Sequence, residues 1–101
     1  MKKVFISQPM KDKTNEQILS ERNRAIEVVK GMHPGEDVEI IDSFFKDAPH
    51  DAKPLWYLSK SLELLSEADV AVFIKGWSEY RGCKIEFTCA TEYGIPTVTD
   101  V

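Results

Sequence analysis

The chain is short of several things, and each shortage excludes something. It has two cysteines and two histidines among 101 residues, too few for a disulfide framework, and no His/Cys/Asp group has the spacing of metal ligands. Cys83 and Cys89 are six apart on one predicted helix, where they point in different directions and cannot bridge, so a reducing cytoplasm is the natural compartment. Long apolar runs are missing too. The longest, 70–74, falls far short of a membrane span, and Met1-Lys2-Lys3 is followed by only three apolar residues before Ser7, so neither a span nor a signal peptide is expected. Positive charge is in the minority. Thirteen Lys+Arg against seventeen Asp+Glu give a net charge of −4 and a pI near 5.1, which argues against a nucleic acid polymer as partner but leaves small anions open to local cations. Glycine is sparse, at five residues, and absent from Ser7-Gln8-Pro9-Met10, so that loop is neither a dinucleotide fingerprint nor a P-loop.

What remains is an ordinary globular composition, 43% hydrophobic. A chain of this length makes one domain, 1–101, and buries roughly 60–70% of its unfolded surface without a metal or disulfide staple. The pattern alternates. A β-rich run at 3–6 precedes a helix over 14–30, where Thr14 and Gln17 fit a capping box and Ile18, Leu19, Ala25, Ile26 and Val29 share a face. Residues 31–35 stop it. A strand at 38–41 leads through a loop to Pro54, which opens a helix carrying Leu55, Leu58, Leu62 and Leu65. The run 70–74 has no polar alternation, as in a strand covered on both faces, which makes it central. A helix over 83–93, stopped by Gly94, and a strand at 97–99 complete βαβαβαβ. The expected fold is α/β: a three-layer, flavodoxin-like, four-stranded parallel sheet with helices on both faces. Ligands of such sheets bind outside the carboxyl ends of the strands, so loops 7–13, 42–53 and 75–82 are where chemistry belongs.

Glu86 is the sharpest anomaly. On a wheel of roughly 100° per residue it falls in the middle of an arc of about 140° formed by Ile85, Cys89, Ala90 and Tyr93, where a solvated glutamate does not belong. It is either a first-turn acid complementing the helix dipole or a carboxylate held in a cleft as nucleophile or general base. Gly82 is a turn residue or a point of close ligand approach. Trp77, Tyr80, Phe44, Phe45 and Trp56 could wall a planar base, though aromatics near loops more often cap the core or meet another subunit. Ser7, Gln8, Pro9 and Met10 form a strand-to-helix turn able to hold a sugar hydroxyl or phosphate. Arg22 projects along the apolar arc of its helix and is expected to snorkel. One of Asp42, Asp47, Asp51 and Glu79 could supply a second carboxyl, whereas Asp69, at the other end of the sheet, is structural. A Cys83–His50 nucleophilic pair has no diagnostic spacing, and His33 is assigned nothing.

Taken together, Val4-Phe5-Ile6 running into Ser7-Gln8-Pro9-Met10, Ala68-Asp69-Val70-Ala71-Val72, Gly82 four residues before Glu86, then Ala90 and Gly94-Ile95-Pro96, resemble the nucleoside 2-deoxyribosyltransferase superfamily across nearly the whole chain. Within it the chain is most similar to a small branch met in bacteria and their phages. The resemblance implies a cytoplasmic enzyme, without cofactor or metal, that cleaves the N-glycosidic bond of a nucleoside or nucleotide. Glu86 aligns with the residue that attacks the anomeric carbon, giving a covalent glycosyl-enzyme resolved by a base or by water. Substrate contacts are expected from Ser7, Gln8, Pro9, Met10, Asp42, Trp77, Tyr80 and Gly82. The implied partners are a small-molecule nucleoside or nucleotide and copies of the same chain in a homo-oligomer, with the leucine-rich second helix offering an apolar surface; no nucleic acid polymer or membrane is expected. The chain also departs from the pattern. Ser61 stands eight before Asp69 where the family commonly has aspartate, Tyr80 stands where transferases place an acid, and those enzymes continue past the fourth strand whereas this sequence stops at Val101. A hydrolase, or a nucleotide-binding or sensing module without turnover, is therefore weighed beside a transferase. A phospho-receiver is weaker, since no acidic pair follows the first strand.

Overall fold

The computed structural model describes residues 1–42 and 49–101. In chain order it contains β1 (Lys2–Ser7), α1 (Asn15–Met32), β2 (Val38–Ile40), α2 (Pro54–Leu65), β3 (Val70–Phe73), a 3₁₀ turn (Trp77–Glu79), α3 (Arg81–Glu92) and β4 (Thr97–Thr99). All strands are parallel, in the order β2-β1-β3-β4. The expected α/β fold is the one observed.

Strand periodicity sorts the core into two layers. Val4, Ile6, Val70, Val72 and Ile74 face Ala25 and Val29 of α1. Their neighbours Phe5, Ala71 and Phe73 face the opposite way, against Leu65 of α2 and Ala90 of α3. Successive side chains of a strand point to opposite faces, so one apolar strand such as β3 serves both layers and is buried throughout. The sheet is thus covered by α1 on one side and by α2 and α3 on the other. No helix among the described residues is long and apolar enough to cross a membrane.

Local signals place the boundaries. Thr14 and Gln17 form a reciprocal capping box, with the Gln17 N–H donating to Thr14 Oγ1 at 3.1 Å and the Thr14 N–H donating to Gln17 Oε1 at 2.9 Å. Thr14→Ala is expected to cost about 0.5–2 kcal/mol in urea denaturation, because it orphans an N–H at the helix start. Gly94, at φ +74°, takes the left-handed conformation that ends α3. Asp69 is structural, as expected: its carboxylate accepts the Lys3 N–H at 2.8 Å while its own N–H donates to the Lys3 carbonyl at 2.8 Å, locking β1 to the start of β3.

Three expectations change. α3 begins at Arg81 rather than 83, behind a 3₁₀ turn, with no side-chain cap at Tyr80 to announce it. Its buried face is Cys83, Glu86 and Ala90, so Glu86 and Ala90 of the expected arc do pack, while Ile85, 37% exposed, and Tyr93, 85% exposed, fall outside the packed face. Arg22 does not snorkel. It is buried, its guanidinium donates to the Ile41 carbonyl at 3.3 Å, and burial lowers its pKa while nearby Asp42 raises it.

Candidate functional site

The topology puts a switch point at the carboxyl ends of β1 and β3, the place where parallel sheets bind their ligands. β1 is flanked by β2 on one side and β3 on the other, and the helices that follow β1 and β2 cover opposite faces, so the chain diverges there. Ser7 closes β1 in register with Phe73, which closes β3, and the Ser7 carbonyl accepts the Ile74 N–H at 3.1 Å. The Ser7 side chain is therefore fixed by the two central strands.

Opposite it stands Glu86, in the second turn of α3 and only 7% exposed. Ser7 Oγ donates to Glu86 Oε1 at 2.7 Å, a buried bond between residues 79 apart in sequence. Burial is the largest influence on this carboxyl and pushes its pKa above the ordinary 4.5; hydrogen bonds from the Ser7 and Ser61 hydroxyls pull it back without cancelling the rise. Ser61 comes from α2, so β1, α2 and α3 all converge on one carboxylate.

Cys83 lies one turn before Glu86 on the same face and is also buried. Desolvation raises its pKa most; Ser7 lowers it by hydrogen bonding, Glu86 raises it and Lys13 lowers it. Such a thiol is a poor nucleophile. The Cys83–His50 pair does not describe this centre: the groups acting on Cys83 are Ser7, Glu86 and Lys13, and His50 lies in an exposed turn.

The other candidates separate by position. Gln8 is buried beside Ser7, its Nε2 donating to the Ile18 carbonyl, and its Oε1 has no hydrogen-bond partner among the described residues. Pro9 is buried and Met10 is 41% exposed. Asp42 is exposed past the end of β2 and interacts with Arg22 rather than Glu86. Trp77 is half-buried against the core: its ring stacks on Phe87 at 4.5 Å between centroids and lies 5.5 Å from Phe73, so one face of the platform expected for a base is already covered. Tyr80 is half-buried, and its carbonyl accepts the Lys84 N–H at 3.0 Å. Gly82 lines a cleft between the starts of α2 and α3, and a Cβ there would meet nothing within 4 Å. Asp51 and Glu79 are exposed, while Phe44, Phe45 and Asp47 lie outside the described residues.

Two members of the cluster were missed as contacts of Glu86. Ser61 is three residues after Leu58 and four before Leu65, a small hydroxyl inside an apolar helical stripe, and that position is its signal in the sequence. Cys83 belongs with Glu86 and not with a histidine. Its spacing to Glu86 and Ala90 was the available signal, since the three share a helical face.

Chemically, the arrangement is a desolvated carboxyl addressed by two hydroxyl donors at the mouth of a parallel sheet. Ionised, it is an acceptor with little water to blunt its charge, suited to an electron-poor carbon or a developing cation. No group of three or more His, Cys, Asp or Glu among the described residues could hold a metal ion.

No protein-family model and no curated protein matches the sequence. Among solved structures the chain is similar to the crystal structure of a conserved protein from Enterococcus faecalis V583, at 19% identity and a TM-score of 0.69. That likeness covers 98% of this chain and 62% of the other, so the chain spans about three-fifths of the length of that relative, and what the two share is the fold.

Proposed function

We propose that the protein cleaves the N-glycosidic bond of a 2′-deoxynucleoside or deoxynucleotide, with Glu86 as nucleophile. The observation that carries this reading is the buried 2.7 Å hydrogen bond from Ser7 to Glu86, which holds a desolvated carboxyl at the carboxyl end of β1, the end of a parallel sheet at which ligands bind. The resemblance of the SQPM turn and of Gly82 to Glu86 to the deoxyribosyltransferase superfamily supports it. In the first step the Glu86 carboxylate attacks the anomeric carbon, and the bond to the base breaks, its electron pair leaving with the base, which takes a proton from solvent water. In the second, water or another base attacks the same carbon, breaks the glycosyl ester and returns the carboxylate. Ser7 and Ser61 act by positioning Glu86 and favouring its charged form. A homo-oligomer assembled through α2, where Leu55 is 72% and Tyr57 42% exposed, accompanies this reading.

A second reading, a nucleotide-binding module without turnover, is favoured by one observation: Ser61, not a carboxylate, is the α2 residue at Glu86, and among the described residues no other acid acts on it. Incubating the protein with the common deoxynucleosides and their 5′-monophosphates, and following free base by chromatography, separates the two. The enzyme reading expects free base and a peptide containing Glu86 heavier by one deoxyribosyl unit in mass spectrometry. Tight binding without free base across the whole panel overturns it.

A further inference from the structure

Deepening the association through α2 proposed above, on which it rests, we infer that two copies of the chain pair through α2 and α3 together, turned antiparallel so that the amino ends of one helix pair meet the carboxyl ends of the other. Both helices return from the end of one parallel strand to the start of the next in sequence, so they run in the same direction, side by side on one face of the sheet. Two hollows lie along them. One, of about 540 Å³, is at the amino ends, with Leu55, Leu58 and Ile85 in its walls; the other, of about 400 Å³, is at the carboxyl ends, with Leu62, Cys89 and Tyr93.

The charges at the two ends are the reverse of what an isolated helix favours. Lys53 and Arg81 stand at the amino ends of α2 and α3, where the dipole is positive, and neither helix has an acid in its first turn. Glu67 lies just past α2 and Glu92 closes α3, where the dipole is negative, and neither helix has a cation in its last turn. By contrast α1, on the other face of the sheet, has Glu16 in its first turn and Lys30 in its last. Lys53, Arg81, Glu67 and Glu92 are all exposed, and none makes an ion pair or a side-chain hydrogen bond among the described residues.

An antiparallel partner turns this arrangement from unfavourable to favourable. Lys53 and Arg81 of one copy face Glu67 and Glu92 of the other, and the twofold axis repeats the match at the opposite end. A parallel pairing would set like charges together. The apolar relief agrees, because Tyr93, 85% exposed at the carboxyl ends, meets the amino-end hollow of the other copy, where Leu55 is 72% exposed, as an aromatic anchor meets a pocket.

The test is sedimentation velocity at low salt on wild type and two variants: Lys53→Glu with Arg81→Glu, which makes both ends acidic, and Glu67→Lys with Glu92→Lys, which makes both ends basic. Each variant replaces charges that oppose the dipoles with charges that complement them, so both are expected to keep the fold, which circular dichroism checks. Wild type is expected to dimerise and to dissociate more readily as salt rises. Each variant alone is expected to associate at least about tenfold more weakly, and an equal mixture of the two to recover a one-to-one dimer. A monomeric wild type overturns both this inference and the association through α2. A dimer that neither salt nor substitution weakens, or variants that stay apart when mixed, overturns the antiparallel pairing alone. A failure of the chemistry at Glu86 shows separately, as absence of base release by wild type.

Discussion

Glu86→Gln is expected to lower base release by at least about 10³-fold and, at neutral pH, to raise the thermal midpoint above that of wild type. Glutamine keeps the shape of glutamate, and its carbonyl oxygen still accepts the Ser7 hydrogen, so lost activity would report the missing charge and not a cavity. The stability gain follows from the raised pKa of Glu86. Below its ordinary 4.5 the folded and unfolded chains both hold the proton, and the buried carboxyl brings no electrostatic penalty. As pH rises through the raised folded value the unfolded chain has already released its proton, and the native state loses stability. Melts of both proteins from about pH 4 to about pH 8 should therefore diverge above 4.5 and then run parallel. Activity moves the other way. Attack needs the ionised form, so kcat/KM of wild type should rise through the same window, with its acid limb displaced above that of an ordinary glutamate. Base release by the variant at the wild-type rate would remove Glu86 from the chemistry, and coincident melts would mean that its burial carries no cost.

Phe73→Ala is expected to destabilise the fold by about 3–5 kcal/mol, a large part of the roughly 5–15 kcal/mol that holds a domain of this size. The ring is fully buried between the sheet and the α2–α3 layer with Phe5, Leu65, Ala71 and Ala90. It meets Phe87 edge-on at 5.2 Å and Trp77 at 5.5 Å. Removing it takes apolar surface from the core and leaves the Trp77–Phe87 stack without a wall, and two adjoining rings cannot collapse into the space as aliphatic chains would. Urea denaturation measures the loss, and a value below about 1 kcal/mol would mean that the layer repacks freely.

The fold was legible where signals are local. Thr14 with Gln17, Pro54, Gly94 and the unbroken apolar run of β3 each state their structure within a few residues, and parallel alternation with right-handed crossovers leaves few topologies. The site was legible in its centre and not in its surroundings. Glu86 stood out as an acid in the wrong place, but the wheel assumed that apolar residues mark the buried face. Ile85 and Tyr93 are exposed instead, because α3 turns its polar residues Cys83 and Glu86 toward Ser7 of β1. No local pattern could announce the contact with Ser61, since which hydroxyl of α2 meets α3 depends on how two helices settle on one face of the sheet. Arg22 is buried for a related reason: its carbonyl partner, Ile41, lies just past the end of β2, far from it in sequence.

The outer strands of the sheet, β2 and β4, are three residues each. So short a border exposes only a few unpaired N–H and C=O groups on either flank, a poor template for recruiting a further strand from another molecule. The sheet is in effect self-terminating, and copies of this chain that associate are steered away from strand exchange and toward side-chain contacts on the helical layers.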